Sequence, residues 1–407
     1  MIARMAWRNL RRRPVQSMLA GGAVAVGLAV CVFLVNFQFG AWALMQQDTV
    51  RSVSGHVVVQ PIGYQDSKDS KLVLEGSAAI AERMAAADPT GTVLRRSFLQ
   101  GLVASPNNTV AVALNAVEPS KEAAESPMVD KIVQGSWFEA EDASRILIGV
   151  ELARRLQVEV GDKVVVTTSS KGEMQARPLR VQGVFETNNV RTDSFFAIVP
   201  LAIAQALQPA YDDPATQVAL LRDDLEVPPS ITQAVREAVG AGFEVLPWRE
   251  AMPEANKSEE LDKAMALYIL TFLAAIATVG ILNVLLMSLF QRTRELGVML
   301  AVGMKPADVA RLLLMEGLLL GILGAAVGLG VGLLATWPAH VYGFNVAELQ
   351  NQAPVANVAI DSTIRSQFML GRDLAWTGFF VLLSAVSCLW PALRAARLEP
   401  VESLRSV

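Results

Sequence analysis

One charged segment of the chain reads Gln291-Arg-Thr-Arg-Glu-Leu-Gly-Val-Met-Leu-Ala-Val-Gly-Met-Lys-Pro-Ala-Asp-Val-Ala-Arg311. It separates two apolar stretches, from about Ala264 to Leu289 and from Leu312 to about Leu334. Each is long enough to cross a membrane as a helix, which takes about 20 apolar residues for ~30 Å of hydrocarbon. The segment contains four basic residues, which predict that it stays in the cytoplasm: Arg292, Arg294, Lys305 and Arg311.

The same segment has the pattern of a short helix. Four residues fall on one helical face: Leu296, Met299, Leu300 and Gly303. Gly303 is placed to end this helix in a left-handed cap, and Pro306 suits the first turn of the next helix. A short helix with an apolar face needs a surface to pack on. The pattern alone leaves open whether it docks on another protein or lies on the membrane surface.

Several motifs around this helix occur in a specific order. Arg294 to Met299 reads Arg-Glu-Leu-Gly-Val-Met, Ala301 to Met304 reads Ala-Val-Gly-Met, and Glu316-Gly317 opens a glycine-rich span. This order resembles the signature of FtsX-like permeases, the membrane subunits of MacB-type and LolC/LolE-type ABC transporters. In that family the connection is a coupling helix that docks on a separate ATPase subunit. The resemblance therefore implies one ATPase-binding set: Arg292, Arg294, Glu295, Leu296, Gly297, Met299, Leu300, Ala301, Gly303 and Met304.

The composition indicates a membrane protein that also has a large soluble part. The chain has 407 residues, of which 52% are hydrophobic, and its mean hydropathy is +0.37. These values are too apolar for an ordinary soluble protein and too polar for a chain that lies entirely in the membrane. Charged residues make up 18% and the formal net charge is -4, which does not favour nucleic acid as a partner.

Cysteine and histidine are scarce. Cys31 and Cys388 both lie in hydrophobic runs, so we expect no disulfide framework and no cysteine-based metal site. The two histidines are His56 and His340, and no His-Glu-x-x-His motif is present. The scarcity of histidine therefore argues against a zinc intramembrane protease. No Ser/His/Asp or Cys/His constellation favours an enzyme.

The N-terminal region begins with a basic segment followed by an apolar run. The basic start and the triplet Ala41-Trp42-Ala43 imitate a signal peptide, but the apolar run exceeds the roughly 7–15 residues of a signal core. We interpret it as an uncleaved first span. The basic segment, residues 1–16, is expected to form an amphipathic helix on the inner membrane surface and to act as a charged flank that sets topology.

The pattern predicts an α-helical membrane protein with four transmembrane helices and a large α+β extracytoplasmic domain. Within that domain we expect two subdomains, with an insertion at about 119–215. The fourth span is followed by basic residues, which place the tail inside with the N-terminus. The expected order is a basic segment (1–16), helix 1 (17–45), the α+β domain (46–262), helix 2 (263–290), the coupling loop (291–311), helix 3 (312–338), an outer loop (339–373), helix 4 (374–393) and a tail (394–407).

The soluble domain adds to the resemblance. Ile148 to Ala153, then Val160 to Asp162, then Val181 to Phe185 resemble the periplasmic domain shared by MacB and LolC/LolE permeases. Asp193-Ser194 followed by Phe196-Ala197 is more similar to the LolC/LolE branch. The implied fold is a MacB-type periplasmic core.

Two features of the spans have specific consequences. The charged helix start at 258–263 predicts one long helix running into the second span. Glu316 near the start of the third span is expected to sit at the membrane interface near Arg311. The third span carries glycines spaced four, three, four and four apart, which predicts close helix packing in lipid: Gly317, Gly321, Gly324, Gly328 and Gly332.

The sequence contains no Gly-x-x-x-x-Gly-Lys-Ser/Thr motif, so we expect no cofactor on this chain and Mg-ATP on a partner ATPase. Full-length MacB carries its own ATPase domain ahead of the first span, and this chain matches the plan with a separate subunit. The expected partners are an ABC ATPase dimer, a second permease copy or paralogue, and membrane lipids.

Three functions remain open at this level. The LolC/LolE resemblance implies release of lipoproteins from the bacterial inner membrane to a periplasmic carrier. The MacB resemblance implies export from the periplasm through an outer-membrane duct. FtsX-type members instead activate a periplasmic hydrolase without transport. We place lipoprotein release first.

Overall fold

The computed structural model describes residues 2–12, 14–69, 71–139, 144–187, 189–224, 227–345 and 363–396. Within them the helices are α1 (Ile2–Arg12), α2 (Pro14–Thr49), α3 (Tyr64–Ser67), α4 (Ser77–Ala87), α5 (Pro119–Glu125), α6 (Val150–Leu156), α7 (Val190–Phe195), α8 (Leu201–Leu207), α9 (Pro229–Val239), α10 (Trp248–Ala251), α11 (Pro253–Gln291), α12 (Thr293–Ala301), α13 (Pro306–Val341), α14 (Leu370–Ser387) and α15 (Leu389–Ala396). A π-helical turn, Val50–Ser54, follows α2.

The strands are β1 (Val57–Gln60), β2 (Thr92–Ala104), β3 (Thr109–Val117), β4 (Ile132–Gly135), β5 (Arg145–Gly149), β6 (Lys163–Ser170), β7 (Glu173–Phe185), β8 (Phe196–Pro200), β9 (Gln217–Leu221), β10 (Glu244–Pro247), β11 (Phe344–Asn345) and β12 (Thr363–Ile364). The chain divides into two compact units. The helical unit comprises the chain up to Ala41, Glu260–Phe344 and the chain from Ile364, and the α/β unit comprises Trp42–Glu259 and Asn345–Thr363.

The helical unit contains the predicted spans. Among the described residues, four helical regions are long and apolar enough to cross a membrane: Pro14–Ser54, Pro253–Asn283, Pro306–Val341 and Leu370–Ala396. The predicted architecture of four apolar helices plus a large α/β domain is therefore confirmed. The long second helix is also confirmed, because α11 runs without a break from Pro253 to Gln291.

The fourth span is not one helix, as expected for 374–393, but two. Helix α14 ends at Ser387 and α15 begins at Leu389. Pro391 explains the break, because it has no amide hydrogen to donate to the carbonyl of Ser387, four residues earlier. Most of the expected outer loop 339–373 and most of the tail 394–407 lie outside the described residues.

The first and the last strands of the α/β unit lie in the same part of its sheet. The first four strands of its sheet lie in the order β10-β1-β9-β2. Helix α4 connects β1 to β2, while β9 lies between these two strands, which makes a split β-α-β arrangement. Helices α4 and α9 pack on this sheet around a core that includes Ile80, Met84, Val218 and Val235.

The inserted part of the α/β unit is a closed barrel. From β2 the pairing continues through β3, β8, β5 and β7, and β6 then pairs with both β7 and β2. Strand β2 belongs to both parts, since residues 92–96 pair with β9 and residues 97–104 pair with β3. The β-rich part therefore begins at about Ser97 and not at 119, because one long strand passes from the first sheet into the barrel.

Candidate functional site

The connection between α11 and α13 turns sharply at Arg292. This residue has φ -112° and ψ 5°, outside the helical region, and α12 starts at the next residue. The carbonyl oxygen of Arg292 then accepts a hydrogen bond from the amide of Leu296 at 3.0 Å, which starts the first turn of α12. The docking candidate α12 is therefore joined to the second span by a single residue.

Gly303 ends α12 as the sequence predicts. Its φ is +102°, a left-handed value that favours glycine. The amide of Gly303 donates to the carbonyl of Leu300 at 3.1 Å, and the amide of Met304 donates to the carbonyl of Met299 at 3.0 Å. This pair of bonds is the Schellman pattern, which satisfies carbonyl groups left over at a helix end. Pro306 then occupies the first turn of α13.

One face of α12 is packed inside the helical unit. Leu296 is fully buried against Leu289, Val309 and Ala395. Four further side chains pack partly buried against this cluster: Met299, Leu300, Met304 and Leu313. The apolar face predicted from the sequence thus contacts the chain's own helices, which fixes how α12 is rotated.

The opposite face of α12 is exposed. Arg294, Val298, Ala301 and Val302 follow the i, i+4, i+7, i+8 spacing of one helical stripe, and Glu295 lies beside them. Val302 is 83% exposed and Val298 is 45% exposed. The stripe thus begins with two charged side chains and continues with apolar ones, and we call Arg294, Glu295, Val298, Ala301 and Val302 the α12 stripe.

The ten predicted ATPase-binding residues divide between these two faces. Those that are exposed are Arg294, Glu295, Ala301 and Gly303. Those that are partly or fully buried are Arg292, Leu296, Gly297, Met299, Leu300 and Met304. The prediction did not include Val298 and Val302, although their spacing from Arg294 was a visible signal.

Arg292 belongs to a buried polar cluster that no local sequence pattern predicts. Its Nη1 donates to Oε2 of Glu316 at 2.6 Å, and its Nη2 donates to Oε1 at 3.2 Å. Asn9 on α1 donates from Nδ2 to the same Oε1 at 2.7 Å. Glu316 is only 7% exposed. The cluster of Asn9, Arg292 and Glu316, the Glu316 cluster, therefore joins α1, the α11–α12 turn and α13.

The expected closeness of Glu316 to Arg311 is wrong. Glu316 pairs with Arg292 instead, and Arg311 pairs with Asp308 at 3.2 Å. The reason is helical geometry, because side chains three or four residues apart share a face, whereas Arg311 and Glu316 are five apart. Only the fold could bring Asn9 to Glu316, since they are separated by 307 positions.

The five glycines of α13 that the sequence pattern singled out are all buried and lie at two helix contacts. A Cβ atom at Gly324 would lie 2.5 Å from the carbonyl oxygen of Gly21, and one at Gly328 would lie 2.6 Å from that of Ala25. A Cβ at Gly332 would lie 2.8 Å from Cβ of Val32. These three glycines therefore bring the backbones of α13 and α2 close together, as small residues do in membranes.

The other two glycines contact the opposite neighbours of α13. A Cβ at Gly321 would lie 2.9 Å from Cβ of Ser384, and one at Gly317 would overlap Sγ of Cys388. The hydroxyl of Ser384 donates to the carbonyl of Gly317 at 3.1 Å. The glycine face of α13 is thus shared between two neighbours. Gly317 and Gly321 contact Cys388 and α14, and the other three glycines contact α2.

The titratable side chains of the α/β unit can be described where the structure covers them. Among the described residues, no three His, Cys, Asp or Glu side chains are grouped to hold a metal. Its histidine, His56, accepts a hydrogen bond at Nδ1 from the amide of Arg222 at 3.1 Å. Burial, together with the nearby charges of Arg51 and Arg222, lowers the pKa of His56 to about 4. This histidine is therefore neutral at ordinary pH and has a structural contact.

Comparison with known proteins gives two family matches. Residues 17–238 match the MacB-like periplasmic core domain, and residues 267–400 match the FtsX-like permease C-terminal region. The chain belongs to the family of ABC transporter permeases that combine a MacB-like periplasmic core domain with an FtsX-like permease region. It is thus a membrane protein with a periplasmic domain, and permeases of this class work with an ATPase subunit.

Individual relatives fall in two branches of this family. The chain is 26% identical over 318 residues to the lipoprotein-releasing system transmembrane protein LolC of Neisseria meningitidis, covering 75% of this chain and 76% of that protein. It is 25% identical over 420 residues to the macrolide export ATP-binding/permease protein MacB of Nitrobacter winogradskyi, covering 99% of this chain and 60% of that protein. Among solved structures, the periplasmic region of MacB from Actinobacillus actinomycetemcomitans is similar over 51% of this chain and 91% of that structure's chain, with 12% identity and a TM-score of 0.35.

Proposed function

We propose that this chain is the permease subunit of an ABC transporter and that the α12 stripe docks on a separate ATPase subunit, which carries Mg-ATP. One observation supports this proposal above all. Helix α12 is held by buried contacts on one side and presents Val298 and Val302 to solvent on the other. An exposed apolar pair on a firmly seated helix suits a protein interface, whose buried centre is apolar with charges around it.

The orientation of the chain follows from charge. The side chains of Gln16 and Gln291 are hydrogen-bonded, and Asn9 contacts Glu316, so α1, α12 and the start of α13 lie at one end of the spans. This end carries the arginines of α1 and the basic residues of the connection. By the positive-inside rule this end is cytoplasmic and the α/β unit is periplasmic, in a bacterial inner membrane.

Protease treatment of right-side-out spheroplasts tests the orientation. We expect cleavage within 46–262 and protection of the connection 291–311. Protection of the α/β unit would contradict the orientation and would also remove the basis for docking of α12 on a cytoplasmic ATPase.

The structure suggests how docking is transmitted. ATP binding closes the partner ATPase dimer and moves α12, which is joined at Arg292 to the continuous helix α11. The Glu316 cluster ties the same point to α1, which leads into the first span. Both spans that flank the α/β unit in the chain are therefore attached to the docking helix.

For the cargo we propose lipoproteins released from the inner membrane to a periplasmic carrier, by a dimer of this chain or of this chain with a paralogue. The support is the similarity to LolC-type subunits over three quarters of the chain. The α/β unit would grip or release the protein part of the cargo outside the membrane.

The test is purification of the tagged chain from native membranes, followed by reconstitution. We expect an ATPase subunit to co-purify and ATP to release a membrane-bound lipoprotein to a soluble acceptor. A complex whose ATPase lacks its P-loop lysine is the matched control and should release none. Release by this control complex would show that the assay does not report transport.

Similarity to a macrolide exporter over nearly the whole chain favours a second candidate, MacB-type export. This function would show itself by co-purification of an outer-membrane duct or its adaptor and by absence of lipoprotein release. An ATPase complex that does neither, but changes the activity of a periplasmic hydrolase, would indicate an FtsX-like regulator.

Docking itself is tested by substitutions on the connection. Val302→Asp and Glu295→Arg should lower the coupled ATPase rate at least tenfold, because they place charge at the centre of the interface or reverse it. Gly297→Leu should do the same by displacing the buried side of α12. Asp308→Asn is the control, since it alters the pair with Arg311 in the first turn of α13 and leaves the α12 stripe unchanged. Normal rates in Val302→Asp and Glu295→Arg would remove the docking assignment.

A further inference from the structure

Helix α1 has two sharply different faces. One face carries residues with the i, i+3, i+4, i+7, i+8 spacing of a helical stripe: Ile2, Met5, Ala6, Asn9 and Leu10. These are buried or partly buried, and α1 packs on α13. The other face, which we call the arginine face, has the same spacing and is exposed throughout: Arg4, Trp7, Arg8, Arg11 and Arg12.

Three contacts fix the rotation of α1. Ala6 is fully buried, Asn9 donates to Glu316 at 2.7 Å, and Ser17 donates from its hydroxyl to the carbonyl of Leu10 at 3.0 Å. An isolated helix of this length is marginal in water, so these contacts also stabilise it. The arginine face therefore points away from α13 as a property of the fold.

The arginine face lies at the level where the spans begin. Helix α1 ends at Arg12, and the first apolar helix starts at Pro14. Other groups typical of a membrane interface lie at this end of the helical unit, where the guanidinium of Arg394 lies 5.4 Å from the ring centre of Trp390 and 5.7 Å from that of Phe290. Aromatic rings with nearby cations are enriched at this depth.

We propose that the arginine face is a binding surface for the headgroups of anionic phospholipids. Guanidinium groups form paired hydrogen bonds with phosphate oxygens, and Trp7 has the amphipathic ring that favours the headgroup layer. Within the described residues none of the four arginines has an acidic side-chain partner, so their charge is available to a ligand. The proposal does not depend on the ATPase or the cargo.

The test is a lipid titration of the purified, detergent-solubilised full-length chain, with bound lipid counted by native mass spectrometry. The probes are dioctanoylphosphatidylglycerol and its zwitterionic match, dioctanoylphosphatidylcholine. We expect the wild type to prefer phosphatidylglycerol. Removing two charges with Arg8→Gln and Arg11→Gln should weaken that binding about 25-fold, since each interfacial arginine contributes about fivefold. Binding of phosphatidylcholine should not change.

Two comparisons make the outcome decisive. Arg8→Lys with Arg11→Lys keeps the charge and should keep most of the preference. Arg177→Gln with Arg191→Gln removes two exposed charges from the α/β unit and should change nothing. An unchanged preference in the Arg8→Gln, Arg11→Gln variant would overturn the proposal. If that variant also lost a co-purifying protein, the arginine face would be assigned to a protein partner instead of lipid.

Discussion

Helices α11 and α13 are both apolar enough to span a membrane, yet they are used differently. In the most apolar window of α11 only 11% of the residues are buried, whereas in that of α13 the share is 33%. Helix α13 carries a stripe of buried glycines against α2 and α14. Helix α11 instead exposes large side chains such as Phe272, Ile276 and Val279.

The difference teaches that hydropathy identifies a span but side-chain size decides what the span packs on. Glycine lets two helix backbones approach, which gains dispersion contacts along the whole crossing. Large apolar side chains that project from a span suit lipid or the surface of a second permease subunit.

The largest effect is expected when one buried glycine of α13 is replaced by a large residue. Gly328→Leu should prevent α13 from seating on α2, because the added atoms would meet the backbone at Ala25, and backbone cannot move aside as a side chain can. We expect loss of a monodisperse folded chain in detergent, measured by size-exclusion chromatography.

Two glycines in the same spans serve as controls for that prediction. A Cβ at Gly330 on α13 or at Gly280 on α11 would have no atom within 4 Å. Leucine at either position should leave the chain monodisperse. If all three variants behave alike, close packing by glycine does not explain the burial of α13.

The next largest effect should come from the Glu316 cluster. Glu316→Ala removes the buried carboxylate that pairs with the guanidinium of Arg292 and leaves only the exposed Glu295 near it. Breaking a buried ion pair typically costs about 3–5 kcal/mol of unfolding free energy. Asp308→Ala removes an exposed pair and should cost at most about 1 kcal/mol. Thermal unfolding of the two purified variants would measure the difference, and equal melting temperatures would show that the buried cluster is not stabilising.

Truncating single apolar side chains should have the smallest effects, and these should differ between buried and exposed positions. Leu28 on α2 is fully buried, so Leu28→Ala should destabilise the chain by about 2–5 kcal/mol. Ile276→Ala on α11 removes an exposed side chain and should change the stability by about 0.5 kcal/mol or less. A large loss for Ile276→Ala with a change in oligomeric state would mean that a second subunit, and not lipid, covers α11.

Much of this architecture could be predicted locally. Long apolar runs indicate spans, and Gly303 followed by Pro306 marks the end of one helix and the start of another. These signals depend on residues close together in the chain. The boundary of the inserted part was misplaced because β2 is one unbroken strand whose two halves pair with different partners, and nothing within the strand marks the change.

The candidate site was only half predictable for a related reason. The apolar pattern of α12 identifies the buried face, but a helical pattern does not say that the opposite face is the one left for a partner. The small residues Gly21 and Ala25, spaced four apart on α2, were a signal for the partner of the α13 glycines. No comparable signal in the sequence marks Asn9 as a hydrogen-bond partner of Glu316.

The sequence by itself determined which segments are apolar helices, where α12 ends and α13 begins, and to which family the motifs point, because these depend on composition, periodicity and local backbone preference. Only the tertiary structure decided that Glu316 pairs with Arg292 and Asn9, that β6 closes the barrel, and that the glycine face of α13 is buried while most of α11 stays exposed. Such contacts join residues far apart in the chain, and a buried charge takes whichever partner the packing brings within hydrogen-bonding distance.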